Sequence, residues 1–86
     1  MKVALDWTLT YGGHAWTFAE LTGAEVADLA VLLGDDWQSL DPRSSPVALL
    51  AHVAVHVATV EGRDLAAVQG ELKATPALQL VKALAP

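Results

Sequence analysis

His52 and His56 stand four residues apart, the one interval in this chain that matches a pair of metal ligands. On a helix that interval brings both imidazoles to one face, as in an HExxH zinc site. Zinc needs at least a third protein ligand, drawn from His, Asp, Glu or Cys. Here residue 53 is Val where that motif has its glutamate, Glu61 and Asp64 fall beyond the end of the helix, and His14 lies far back in the chain. The two histidines therefore read as the polar edge of an apolar helix, and no metal is expected.

The other reactive side chains are sparser still. Asp35 and Asp36 are adjacent carboxylates after a helix end, a place where such groups face solvent. Gly12-Gly13 reads as a turn. The chain has no GxSxG, no P-loop, no GxGxxG and no cysteine, so it offers neither a nucleophile–base pair nor a thiolate site. The expectation is no catalytic residue, no cofactor and no enzymatic activity. Three tryptophans are more telling, because tryptophan serves both small cores and interface hot spots. Trp7 is expected in the core. Trp37, with Leu40, is expected to pin its loop to the core, the alternative being exposure to a partner, and Trp16 is open between the two roles. The candidate partner-binding residues are Trp16, Trp37, His52 and His56.

Those residues need elements to hold them. The stretch 46–60, PVALLAHVAVHVATV, is apolar almost all round, the pattern of a buried helix. Ser44 or Ser45 can cap it, Pro46 suits its first position, and Gly62 ends it, giving a helix over about 46–61. Valine is a mediocre helix former, so packing must hold this segment. A strand is the competing reading, but two strands would need a turn that the stretch lacks. Residues 3–9 alternate, with Val3, Leu5, Trp7 and Leu9 on one face. With a turn at 11–14 and a return through Phe18, they predict a β-hairpin over 3–18.

Thr22 and Glu25 have the spacing of a capping box, flanked by Leu21 and Val26 as a hydrophobic staple. They open a helix over 23–33 with Val26, Leu29, Ala30 and Leu33 inward, and Gly34 is placed for a left-handed end. Asp64 caps a helix over 64–72, with Leu65, Val68 and Leu72 inward and Gly70 as a weak point. Thr75-Pro76 starts the last helix, over 76–85, with Leu78, Val81 and Leu84 inward. The expected fold is mainly α with a short N-terminal hairpin: one domain, a small helical bundle around a central apolar helix.

The 86 residues are 53% hydrophobic, with mean hydropathy +0.39. A domain of this size has a small core, so the surplus predicts either a tight alanine-rich interior or an interface to a partner or a second copy. The net charge is −5, and no Lys or Arg occurs between Lys2 and Arg43. That sign disfavours nucleic acid and suits a basic partner. Segments 64–72 and 76–84 could imitate a helix-turn-helix, but the second offers only Gln79 and Lys82 as polar readers. The 15-residue apolar run at 46–60 is short of the ~20 that a bilayer requires, and no signal peptide is visible. A cytoplasmic protein is expected.

The order of features resembles a group of small phage proteins, the tail assembly chaperones of long-tailed (siphovirus-like) bacteriophages, especially those of actinobacteria. The resemblance is carried by the strand pair, the first helix, the connector Leu40-Asp41-Pro42, the Ala/Val/Leu-rich helix, the charged break Glu61-Gly62-Arg63-Asp64, and the final LQLVKAL. One feature departs. The long helix of that family often carries a tryptophan and an arginine or two near its end, where this chain has His52, His56 and Thr59. The resemblance implies a non-enzymatic factor that binds the tape-measure protein, keeps its apolar helices soluble and recruits tail-tube subunits in the host cytoplasm. The competing expectation is another small phage or bacterial interaction module, such as a head–tail connector component or a dimeric adaptor.

Overall fold

The computed structural model describes residues 7–84. It is mostly helical, with an antiparallel hairpin at its N-terminal end. β1 (Thr8–Tyr11) and β2 (His14–Thr17) are joined by Gly12 and Gly13, both with positive φ (58° and 83°). A two-residue turn with both φ positive matches the right-handed twist of the strands, and glycine adopts it without steric cost. The register sets Leu9 opposite Trp16, and both are buried, with Trp7, against α2. The described strands are shorter than the predicted hairpin. Val3 and Leu5, expected on its inner face, lie outside the described residues.

α1 (Gly23–Leu33) begins with the predicted capping box: Thr22 Oγ1 accepts from the Glu25 amide at 3.3 Å, and Glu25 Oε1 accepts from the Thr22 amide at 3.1 Å. Leu29 is fully buried, and Val26, Ala30 and Leu33 pack around it. Gly34 takes positive φ (87°) but an extended ψ (−179°). The expected left-handed end is therefore replaced by one that sends the chain straight out into the connector. There a 3₁₀ turn, Trp37–Ser39, seats Trp37 against Leu29, Ala51 and Val55. Asp41 accepts from Arg43 at both carboxylate oxygens (2.7–3.2 Å), which tightens the loop before Pro46.

α2 (Pro46–Glu61) is capped by Ser45, whose Oγ accepts from the Ala48 amide at 3.2 Å, and it closes on Gly62 in the left-handed conformation. Every residue from 51 to 58 is buried. One side of the rod meets Trp7, Leu9, Trp16, Val68 and Leu72, and the other meets Leu29 and Trp37. Burial on all sides is what lets a valine-rich segment stay helical, since packing outweighs its intrinsic propensity.

α3 (Leu65–Ala74) starts on Asp64, as predicted, and runs two residues past the expected end. Gly70 is exposed and interrupts nothing. α4 (Ala77–Val81) tightens into a 3₁₀ turn, Lys82–Leu84. Its inward side corrects the sequence expectation. Leu78 and Val81 are exposed (68% and 54%), whereas Ala83 is buried and Leu80 and Leu84 pack beside it. The expected stripe assumed one α-helix docking along its length. The segment instead docks through its 3₁₀ turn on β1, where the small Ala83 lets the backbones approach.

Candidate functional site

The two histidines of α2 lie one turn apart yet are turned to different neighbours. The His56 ring stacks on Trp16 of β2 with centroids 3.9 Å apart, and its Nδ1 lies 3.0 Å from Glu25 Oε2 of α1. Glu25 is only 2% exposed. Its other oxygen, Oε1, accepts from both the amide and the hydroxyl of Thr22. One carboxylate thus closes the N-terminus of α1 and ties α1 to α2. His14, at the start of β2, meets His56 edge-on at 6.1 Å and pairs through Nε2 with Glu61 at 3.5 Å. Glu61 is shared with Arg63, which also pairs with Glu71.

His52 has an apolar surrounding. Trp7 approaches it edge-on at 4.9 Å and Trp37 at 6.4 Å, and its Nδ1 makes no hydrogen bond. Burial lowers its pKa from 6.5 to about 4, against the opposing pull of the Glu25 and Asp41 carboxylates. A charged imidazole there would lose its hydration and gain no direct partner, so the neutral ring is favoured. The Arg43 guanidinium beside Asp41 holds that carboxyl below its usual range.

General acid–base work needs a group within hydrogen-bond reach of a substrate; Glu25 is buried, and one face of the His56 ring is covered by Trp16. Among the described residues, no three His, Cys, Asp or Glu side chains converge on a point that could hold a metal ion. Asp35 and Asp36 are exposed.

All four residues expected as partner contacts, Trp16, Trp37, His52 and His56, are in the interior, none more than 9% exposed. A chain landing on this fold would touch little of them, because closing the small core takes all three tryptophans. The outward apolar surface is elsewhere: Val31 on α1, Val47 and Val60 on α2, and Leu78 and Val81 on α4. Val81 also borders a groove of about 220 Å³ with Pro42, Pro46, Leu49 and Leu84. Sequence reasoning missed Glu25 as the partner of His56, since the capping box alone accounts for a glutamate there. It also missed His14, which reads as a turn residue. No helix among the described residues is long and apolar enough to cross a membrane. Compared with known proteins, the chain matches no family model, no curated protein and no solved structure.

Proposed function

We propose that this chain is a non-enzymatic tail assembly chaperone of a long-tailed bacteriophage. It binds apolar helical segments of the tape-measure protein in the host cytoplasm and brings tail-tube subunits to them. The observation that carries the reading is the apolar surface left open on α4 and beside its groove with the start of α2. Leu78 and Val81 project from α4, Val81 borders the groove beside Pro46 and Leu49, and Val47 is exposed on the adjoining turn of α2. An apolar groove with exposed apolar residues on the elements that form it is the form in which a partner's amphipathic helix is taken up.

Co-expression with a candidate tape-measure protein tests this. The parent chain keeps that protein soluble, and the double variant L78E/V81E, altered only at exposed positions, folds normally but lets it aggregate. Equal rescue by the variant, or aggregation despite the parent chain, contradicts the proposal. The second reading, a dimeric adaptor, has Val31 in its favour, 83% exposed on α1. A dimer in solution that V31E converts to a monomer would support it.

A further inference from the structure

The two edges of the hairpin differ in what lies beside them. The 3₁₀ turn Lys82–Leu84 packs along β1, with Ala83 buried. β2 is the other strand of this two-stranded sheet, and Ala15 within it is exposed. Proteins blunt open edges with a lysine, a proline, a bulge or a covering segment. β2 reads His14-Ala15-Trp16-Thr17 in unbroken register with β1 and has none of the first three. The turn fixes which backbone groups face out. Tyr11 and His14 flank a two-residue turn and bond to each other, so the alternation of the ladder makes Leu9 and Trp16 the next bonded pair. The amide and carbonyl of Ala15 and the amide of Thr17 then point away from β1. Among the described residues, no backbone group outside the hairpin bonds to them. We propose that β2 is the seam of a homodimer: β2 of a second copy lies antiparallel along it, Ala15 opposite Ala15, and joins the two hairpins into one four-stranded sheet. The seam lies apart from the groove and from Val31, and it does not rest on the tape-measure reading.

Three observations select a second copy as the occupant. The first is symmetry. A two-fold axis through an antiparallel pair of strands suits a residue whose amide and carbonyl both face the partner, and Ala15 is such a residue, able to exchange two hydrogen bonds with its counterpart. In that register Thr17 lies opposite Gly13, so only Ala15, Thr17 and Gly13 meet on the outward face, while His14 and Trp16 pair on the inward one. The second is charge. Residues 7–19 contain no Asp, Glu, Lys or Arg, in a chain of net charge −5. Two acidic copies can therefore close there without setting like charges opposite one another. Glu61, which pairs with His14, is also paired with Arg63. The third is closure. A foreign strand laid on β2 would bring an open edge of its own. A second copy brings β1 as its outer strand, already lined by Lys82–Leu84. The order β1–β2–β2–β1 leaves neither end of the sheet open, and four strands hold together better than two.

Sedimentation equilibrium of the full chain over a concentration series, with amide hydrogen exchange at low and high concentration, tests the seam. The mass is expected to rise from 9.0 kDa toward twice that value, while the amides of Ala15 and Thr17 become slower to exchange. Ala15→Pro removes the donor that each copy contributes at the axis. That amide faces away from β1, so the hairpin is kept. Association is expected to weaken about tenfold or more. If that variant does not fold, Ala15→Lys, at an exposed position, sets two cations opposite each other and carries the same expectation. Val31→Glu is expected to leave the dimer intact. A chain that stays monomeric up to about 1 mM overturns the seam. So does a dimer that keeps its affinity in the folded Ala15 variant, one that Val31→Glu dissociates, or one in which Ala15 and Thr17 exchange as they do in the monomer.

Discussion

A carboxylate and an imidazole carry the strongest residue-scale statement. Glu25 and His56 form a buried, hydrogen-bonded pair, and removing one member of such a pair leaves the other without compensation. His56→Ala is therefore expected to lower the unfolding free energy by about 3–5 kcal/mol. His56→Gln, which keeps a donor near Glu25 Oε2, is expected to lose clearly less. Urea denaturation at pH 7 measures both. Equal losses would mean that stacking on Trp16 rather than the bond to Glu25 sets the contribution.

His52 acts with a definite sign. In the unfolded chain it binds a proton below about 6.5, and in the folded chain not until about 4. Between those values the unfolded state holds more protons, so stability falls as pH drops through that window and is unaffected by this group above it. The contribution reaches about 3 kcal/mol at its acid end. Neither histidine role was legible in the sequence. The i, i+4 spacing correctly placed both rings on the central helix. Their partners, however, come from α1 and the hairpin, and Glu25 stands 31 residues from His56. No local pattern encodes a contact of that separation.

Elements were far more legible, and for a physical reason: their ends are fixed by neighbours in sequence. Thr22 with Glu25, Ser45 with Pro46, Asp64, and Gly12-Gly13 each satisfy or turn the backbone within three or four residues, and each did so where the sequence placed it. The face an element buries is a tertiary decision. For α2 the choice hardly mattered, because the rod is apolar nearly all round. For α4 it did matter. Leu78, Leu80, Val81 and Leu84 offer apolar faces in more than one direction, and docking of the 3₁₀ turn on β1 selected the side with Ala83. The same logic separates two positions on α1. Leu29 is fully buried and Val31 is 83% exposed. Leu29→Ala is expected to lower stability by about 2–5 kcal/mol through the lost contacts and the cavity left behind. Val31→Ala should stay within about 0.5 kcal/mol. Thermal denaturation of the two variants checks this, and similar losses would place α1 the other way round.

At the scale of the molecule, the hydrophobic surplus seen in composition is divided between two destinations. Most of it lines the sheath around α2, including Trp16 and Trp37, which the sequence left open between core and partner surface. The remainder is exposed on α4, on the first and last turns of α2 and at Val31 of α1, with Val81 beside the groove. Composition could show that surplus existed and could not show where it would lie, because that depends on which side of α4 docks. The same division organises the functional proposal, in which the rod holds the fold and the groove end holds the partner.

Amide hydrogen exchange on the chain alone, and on the chain co-expressed with a tape-measure protein, tests that division most directly. The account predicts that amides of residues 51–58 exchange slowest in both samples, at the rate of global opening. It predicts new protection in the complex confined to 42–49 and 77–84. Fast exchange along 51–58 in the free chain, or new protection falling on β1, β2 and α1 instead of the groove, would contradict it.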